Sequence, residues 1–374
     1  MRVTELPTPQ VLIDRSKFSA NLDRMQQAVA AGGKVLRPHA KTHKIPALAR
    51  EQIKRGAVGI CCAKVGEAEV FADAGIEDIR LPYPVHPTSA ARILSLMERA
   101  HISIIVDHLD VAGAWSRAME QAGRTLDVLI KVDVGFHRCG IDPHGDALGF
   151  VQRIAAMPGL HLRGLLSHAG HAYGATTEGE LAALAHAEAE TLLDLASRAR
   201  QCGIAIDEVS VGATPTARFS ATEPGLTEMR PGNYIYYDRT QVAVGSATLR
   251  DCAPTVLARV VSRPAVDRMI FDCGSKTLTT DLARGTRIAT DGHGLVFQDV
   301  SSTEPDGNLL IERLSEEHAT VKVVSGVSRL APGDLVRVLP NHACVVSNLV
   351  DCVHVVDGME SVERLAVAAR GRIQ

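Results

Sequence analysis

A regular alternation of short apolar runs and helical patterns over the first two thirds of the chain most constrains its fold. The apolar runs are bounded by glycine or proline, and amphipathic stretches of helical period separate them. This pattern is typical of a parallel sheet covered on both faces by helices. Eight such strands favour a closed (β/α)8 TIM barrel over an open doubly wound sheet. The predicted strands are 34–38, 57–63, 78–83, 102–107, 126–133, 160–168, 208–212 and 226–237.

The chain changes character near residue 246. Short β-rich runs punctuated by proline and glycine follow, and a helical pattern returns only in the last fifteen residues. Such runs are typical of an antiparallel sandwich or barrel. The sequence therefore predicts a barrel domain over 1–245 and a β-rich domain over 246–374, and the strand-like segment 8–14 could pair with the second domain. The β-rich runs are 256–262, 268–272, 294–298, 319–324, 335–339 and 353–356.

Composition excludes several classes of function. The net charge is −3 and aromatic residues make up 3% of the chain, which argues against binding to nucleic acid. No apolar run reaches the ~18 residues that a membrane helix needs, and the first residues lack the apolar region of a signal peptide. Eight scattered cysteines form neither a disulfide framework nor a metal ribbon. We expect a cytoplasmic protein that contacts neither membrane nor nucleic acid.

The turn after the first predicted strand concentrates basic side chains. Its sequence, RPHAKTHK over 37–44, places Lys41 at the carboxyl end of a buried strand. Burial and neighbouring cations lower the pKa of such a lysine and leave a neutral amine that can attack a carbonyl. A basic turn that only neutralises acidic surface remains an equal alternative from these eight residues alone.

Polar side chains recur where the other predicted strands end, which is the edge that carries the active site in such barrels. Two of these ends, GATPT over 212–216 and RPGNY over 230–234, offer backbone amides and hydroxyls that could hold a phosphate. Phosphate anchoring together with a buried-strand lysine indicates pyridoxal 5'-phosphate. The residues at the remaining ends are Lys64, Tyr83, Asp107, Asp133 with Arg138, and His168.

Several motifs in this order resemble the D-threonine aldolase and D-serine dehydratase family, pyridoxal-phosphate enzymes of the alanine-racemase-like fold. The resemblance covers essentially the whole chain, and the RPHAKTHK run is its most specific part. It implies a barrel with a β-rich second domain and a homodimer as the assembly. The motifs are Thr8-Pro9, RPHAKTHK over 37–44, GICCAK over 59–64, DVGFHRCG over 133–140, SHAGHAYG over 167–174, PGNY over 231–234 and PNHAC over 340–344.

The resemblance also implies roles for individual residues. Lys41 would form the Schiff base with the cofactor, His168 would lie beside the cofactor ring, and Tyr173 would face the substrate. Arg138 would lie near the ring hydroxyl. The remaining cofactor contacts would be phosphate-binding Thr214, Gly232 and Asn233, and Tyr234 near the pyridine edge.

A divalent metal is expected at His342 and Cys344. Alternate residues on a strand point the same way, so the two side chains could converge on one ion. Alone, this pair is more often explained by core packing, but the family that the chain resembles places its metal at such a pair. Thiolate and imidazole favour zinc, with manganese or magnesium as alternatives. Two protein ligands leave positions for water or substrate.

These parts predict a lyase that acts on D-β-hydroxy-α-amino acids, of the D-serine dehydratase type that yields pyruvate and ammonia. D-Threonine aldolase, which cleaves Cα–Cβ to glycine and an aldehyde, uses almost the same groups and is the alternative. An amino-acid racemase needs a second catalytic base opposite the lysine, usually a tyrosine from the second domain, and 246–374 contains no tyrosine. The second domain argues against a non-catalytic carrier of the cofactor.

Other polar candidates are assigned structural roles. His39 and His43 are expected to be solvated turn residues, and Lys64 an exposed residue at a helix start. The acidic, alanine-rich helix over 178–200 is expected to present a solvated face.

Overall fold

A computed structural model describes all residues 1–374. The chain forms two compact units, a barrel unit (25–41, 46–232 and 371–374) and a sheet unit (1–24, 42–45 and 233–370). The helices are α1 (Arg15–Ala31), α2 (Pro46–Lys54), α3 (Val65–Asp73), α4 (Ala90–Met97), α5 (Leu109–Gln121), α6 (Ala147–Ala155), α7 (Glu178–Gln201), α8 (Ala217–Ser220), α9 (Arg239–Ala243), α10 (Ser275–Leu278) and α11 (Ala343–Leu349). The first nine strands are β1 (Gln10–Asp14), β2 (Val35–Leu36), β3 (Ile60–Cys61), β4 (Asp78–Pro84), β5 (His101–Val106), β6 (Leu126–Lys131), β7 (Leu160–Leu166), β8 (Glu208–Val211) and β9 (Glu228–Met229). The others are β10 (Pro254–Ala265), β11 (Arg268–Phe271), β12 (Leu295–Phe297), β13 (Leu309–Leu314), β14 (Ala319–Val323), β15 (Leu335–Leu339), β16 (Cys352–Asp357) and β17 (Glu360–Ala366).

The barrel unit is built on an eight-stranded parallel sheet. Its strands follow the order β2-β9-β8-β7-β6-β5-β4-β3, and a parallel bridge from His39 to Cys61 links the segments at the two ends of this order. The strands form because their apolar runs are buried, as in the packed cluster of Ile105, Leu129 and Leu166. Complete burial of each such side chain contributes about 1.5–3 kcal/mol. The parallel, helix-covered sheet expected from the sequence is confirmed.

Helix α7 shows how local signals set the helix boundaries. The Thr177 hydroxyl accepts a hydrogen bond from the Glu180 amide at 3.1 Å, which satisfies one of the free amides of the first turn. The helix ends before Gly203, whose φ of 79° is a left-handed conformation that glycine adopts readily. The helix was expected to present a solvated face, but Glu188 on it is only 2% exposed.

Eight charged side chains of alternating sign form a closed ring of ion pairs, mainly at the amino ends of the barrel strands. Arg37 pairs with Asp78 at 2.5 Å, and the ring closes where Arg37 also meets Glu228 at 2.7 Å. This is the end of the strands opposite to the one where barrel active sites lie, so we assign the ring to stability. In order around the ring the residues are Arg37, Asp78, His101, Asp127, Arg163, Glu208, Arg80 and Glu228.

The sheet unit is a nine-stranded mixed sheet. The N-terminal strand β1 belongs to it, pairing antiparallel with β10 and parallel with β16. Strand β13 was not predicted, and the helix expected in the last fifteen residues is wrong, because β17 pairs antiparallel with β16 there. The apolar spacing of that segment fits either structure, and pairing with the neighbouring strand decides between them. None of the helices combines the length and the apolar character that a membrane span requires.

Candidate active site

Lys41 lies in a single 3-10 turn, Ala40–Thr42, directly after the first barrel strand. The backbone before it is fixed by two hydrogen bonds, from the His39 amide to the Pro231 carbonyl at 3.0 Å and from the Cys61 amide to the Pro38 carbonyl at 2.8 Å. Lys41 itself is half-buried. The sequence folds in this way because Pro38 disfavours helix at the preceding residue and the strand ends there.

Two half-buried imidazoles, those of His39 and His168, lie near the lysine in the barrel unit. Burial lowers the pKa of His39 well below its usual value, and the positive charges of Lys41 and Arg230 lower it further. Burial and the charges of Lys41 and Lys131 lower the pKa of His168 in the same way. Both rings are therefore neutral near pH 7. His39 is not the solvated residue expected from the sequence, and His43 is fully buried with its Nδ1 accepting from the Ile45 amide at 3.0 Å.

His168 is held in one tautomer and one orientation. Its Nδ1 is hydrogen-bonded to the Gly212 carbonyl, so Nδ1 carries the proton and Nε2 is the nitrogen left to face a ligand. The ring of Phe136 packs edge-on against it at 5.8 Å between centroids, and the Arg138 guanidinium lies 5.0 Å from the centre of the Phe136 ring. The structure thus brings the predicted residues His168 and Arg138 to one cluster, and with Asp133, Phe136 and Cys139 they line a small cavity.

The candidate phosphate-binding residues are placed as follows. Thr214 is 5% exposed, and its hydroxyl has no hydrogen-bond partner in the protein. Gly232 is half-buried. Buried hydroxyls are normally paired, so a group that accepts a hydrogen bond, such as a phosphate oxygen, fits at Thr214.

The other predicted cofactor and substrate contacts are less sharply defined. The side-chain nitrogen of Asn233 donates to Asp238 at 2.7 Å and to the Cys344 sulfur at 3.6 Å, whereas its buried Oδ1 has no hydrogen-bond partner. Tyr234 is 1% exposed, whereas Tyr173 is half-buried in the 3-10 segment Gly170–Gly174.

Three buried titratable residues of the barrel unit were missed by the sequence reasoning. Arg230 donates to the Ser210 hydroxyl at 2.7 Å and to the carbonyl of Ser167. The Ser167 hydroxyl donates to Glu188 at 2.6 Å, and burial raises the pKa of that carboxyl. Burial, assisted by Arg230, lowers the pKa of Lys131 to about 7. Only the position of Lys131 and Arg230 next to predicted strand ends could have indicated them.

The sheet unit brings His342 and Cys344 together, although not by the expected geometry. His342 is the N-cap residue of α11 and Cys344 lies in its first turn, so the strand alternation assumed from the sequence is wrong. Their side chains are nevertheless close enough for each to shift the pKa of the other. The backbone between them is fixed because the Ala343 amide donates to the buried Asp238 carboxylate at 2.9 Å.

Electrostatics favour a thiolate and an imidazolium at this pair. Burial lowers the pKa of His342, but Cys344, Asp238 and Asp281 outweigh it and raise the value to about 10. Burial raises the pKa of Cys344, but the hydrogen bond and charge of His342 outweigh it and lower the value. A thiolate beside an imidazole is a donor set suited to zinc.

His342 and Cys344 are the only two adjacent side chains here that could serve as protein ligands of a metal. The structure contains no cluster of three or more His, Cys, Asp or Glu side chains placed to hold a metal ion. His342 has 40% of its side chain exposed, so solvent or substrate can reach it. Residues of this kind fit an open, catalytic type of metal site rather than a closed structural one.

Comparisons with known proteins identify the family. The model described as "Alanine racemase, N-terminal domain" matches 13–240, and the one described as "Putative serine dehydratase domain" matches 253–356. The chain is 35% identical to the D-threonine aldolase of Arthrobacter sp, over 99% of this chain and 94% of that protein. The chain belongs to the D-threonine aldolase and D-serine dehydratase family. Members of this family are pyridoxal-phosphate-dependent lyases that act on D-amino acids, and this chain is a lyase.

Further members of the family resemble the chain over nearly its whole length. It is 32% identical to the D-threo-3-hydroxyaspartate dehydratase of Delftia sp. (strain HT23), over 91% of each protein. The solved structure of the enzyme from Delftia sp. HT23 superposes with a TM-score of 0.92 over 98% of both chains. The D-threonine aldolase of Filomicrobium marinum gives 0.86 at 29% identity, covering 99% of this chain and 98% of that one. An alanine racemase of Clostridium difficile, at 14% identity and a TM-score of 0.70 over 97% and 99%, shares the fold.

Proposed function

We propose that this lyase removes the β-hydroxyl of a D-β-hydroxy-α-amino acid, with D-serine giving pyruvate and ammonia. The observation that carries the proposal is the contact between His342 and Cys344 in a chain whose relatives include D-serine dehydratases and a D-threo-3-hydroxyaspartate dehydratase. One related structure is a cysteine-to-alanine variant of that dehydratase in its metal-free form, which supports metal binding in that enzyme. We infer that this chain binds a divalent metal, with zinc favoured by its thiol.

The barrel residues supply the cofactor site of the proposed enzyme. Bound pyridoxal phosphate supplies an electron sink for the negative charge that develops at the substrate Cα. Lys41 would hold the cofactor covalently until the substrate amine displaces it, and its freed amine would then accept the Cα proton. His168 presents Nε2, and its neutral ring adds no positive charge beside the lysine. Thr214 and Gly232 hold the phosphate, and Arg138 lies on the side of the ring hydroxyl.

The sheet-unit residues act on the leaving group. His342 and Cys344 would hold a divalent cation, whose charge would assist departure of the β-hydroxyl as water. Loss of the Cα proton and the hydroxyl leaves an unsaturated amine, which adds water and releases ammonia to give the keto acid. Tyr173 faces the substrate in this scheme.

D-Threonine aldolase is the second candidate, favoured by the 35% identity to the Arthrobacter enzyme. The same residues would then assist loss of the proton from the hydroxyl, so that Cα–Cβ breaks and the products are glycine and an aldehyde. The two reactions consume the same class of substrate. The dehydratase breaks the Cα–H and Cβ–O bonds, whereas the aldolase breaks the Cα–Cβ bond and leaves the Cα hydrogen on glycine.

Product analysis decides between the two. The protein is incubated with D-serine and D-threonine before and after EDTA treatment, and then with zinc or manganese added back. Keto acid and ammonia support the dehydratase, whereas glycine with acetaldehyde from D-threonine supports the aldolase. Turnover that EDTA leaves unchanged would contradict the metal site, and no turnover of either D-amino acid would contradict the substrate class.

A further inference from the structure

The segment 279–294 of the sheet unit has no helix or strand, yet it is tightly held. It follows α10 and precedes β12, and its first residue, Thr279, adopts a left-handed φ of 65°. Long irregular segments in compact domains are uncommon and are usually functional. A strained backbone conformation persists only where surrounding contacts impose it.

A buried arginine anchors the later part of this segment. Arg239 is 2% exposed, and its guanidinium donates to the carbonyls of Ala289 at 2.9 Å, Gly292 at 3.4 Å and Gly294 at 3.5 Å. The Asn341 side chain donates to the Gly292 carbonyl at 2.9 Å and accepts from Arg239 at 3.2 Å. Through Asn341, which directly precedes His342 in the sequence, these contacts hold the segment beside the proposed metal ligands.

Two consecutive residues hold Asp281 at the other end of the segment. The Asn341 amide donates to the Asp281 backbone carbonyl at 3.0 Å, and Nδ1 of His342 lies 2.6 Å from the Asp281 carboxylate. A carboxylate only accepts hydrogen bonds, so Nδ1 of His342 carries the proton in this contact. Nε2 is then the nitrogen with the free lone pair when the ring is neutral.

We propose that Asp281 is a positioning residue for the metal site: it fixes the tautomer and the orientation of His342 so that Nε2 binds the cation. This inference rests on the proposed function, which assigns the metal to His342 and Cys344. A carboxylate on the outer nitrogen also makes the imidazole a stronger electron donor to the metal. With only two protein ligands, the energy gained from each of them weighs more heavily than in a four-ligand site.

A purely structural ion pair explains the contact less well. The His342 and Asp281 side chains are 40% and 47% exposed, and exposed pairs of this kind contribute at most about 1 kcal/mol to stability. Arg239 anchors the later part of the segment and Asn341 anchors the Asp281 backbone, and both sets of contacts would hold the segment without the carboxylate.

The test measures metal affinity without turnover. Full-length protein is stripped of metal with a chelator, and the binding of Zn²⁺ and of Mn²⁺ is measured by competition with a chromophoric chelator. We expect Asp281→Ala to weaken Zn²⁺ binding by about 10- to 100-fold, and Asp281→Asn to lie between this variant and the wild type. Asp291→Asn is the matched control, because it is an exposed aspartate of the same segment.

The outcomes separate this inference from the proposed function. If the wild type and Asp291→Asn bind Zn²⁺ tightly while Asp281→Ala binds it weakly and melts at an unchanged temperature, the positioning role is supported. Equal affinity of Asp281→Ala and the wild type would overturn the positioning role alone. A wild type that binds neither metal would overturn the proposed metal site, and the positioning role with it.

Discussion

Thr42 and Cys344 lie 3.3 Å apart between the hydroxyl and the sulfur, although 302 positions separate them in the chain. The sulfur also accepts from the Asn233 amide at 3.6 Å, and His342 is close enough to lower the pKa of the thiol. Three polar neighbours around one sulfur are more than a cysteine used only for core packing requires.

Replacing Cys344 with alanine is expected to abolish metal-dependent activity and leave the cofactor bound. The change removes one of two protein ligands, whereas the proposed cofactor contacts of the barrel unit remain. Metal content after dialysis and the visible absorbance of the cofactor measure the two effects separately. Cys352→Ala is the control, since Cys352 is half-buried and its sulfur contacts only Arg364, at 3.0 Å. Full metal content in Cys344→Ala would contradict the assignment.

Lys41→Ala is expected to abolish both covalent attachment of the cofactor and all turnover. The amine that attacks the cofactor aldehyde and accepts the Cα proton is then missing, and the imidazole of His168 cannot replace it because it is not a primary amine and forms no Schiff base. Absorbance spectra before and after borohydride reduction, with turnover assays, measure the loss. Lys64→Ala, at the start of a helix, should keep the absorbance band. Retained turnover in Lys41→Ala would exclude the assignment of Lys41.

The sequence predicts the strands and helices of the barrel unit well, because buried strands carry continuous apolar runs. The strand predicted over 126–133 is β6 (Leu126–Lys131), and the helix predicted over 178–202 is α7 (Glu178–Gln201). Strand β17 was missed because pairing with β16, rather than local spacing, determines its structure.

The site is less predictable, because its supporting contacts are remote in sequence. Asp281 lies 61 positions from His342, in a segment with no apolar period that could place it. Glu188 occurs in an alanine-rich helix where helical spacing alone does not show that this acid is buried against Ser167. The motifs indicated Lys41 and the His342–Cys344 pair, but only the folded chain shows what orients them.

Glu228→Gln is expected to destabilise the protein by about 3–5 kcal/mol, because it leaves Arg37 and Arg80 buried without one of their counter-ions. Glu228 is 2% exposed, its carboxylate also accepts from Ser210 at 2.6 Å, and it closes the ion-pair ring. Urea unfolding followed by circular dichroism measures the change. Asp73→Asn, which breaks the exposed pair with Arg99, should cost at most about 1 kcal/mol. If Glu228→Gln also lowered the free energy of unfolding by no more than about 1 kcal/mol, the ring would not stabilise the barrel.

The ion-pair ring is expected to weaken at alkaline pH through His101. Hydrogen bonds to Asp127 at 2.9 Å and to Asp78 at 3.3 Å outweigh partial burial and raise the pKa of His101 to about 9. The other titratable or charged side chains beside Asp127 at this end are His161 and Arg163.

Because the pKa of the folded state lies above the usual value of about 6.5, the stabilisation is fully present below that pH and is lost as the pH rises through 9. His101→Gln should therefore be less stable than the wild type by about 1 kcal/mol at pH 6, since the contact is half-exposed, and equally stable above pH ~10. Urea unfolding of both proteins at a series of pH values measures this difference. If the stability difference between the wild type and His101→Gln grew with pH, it would contradict a protonated His101 between two carboxylates.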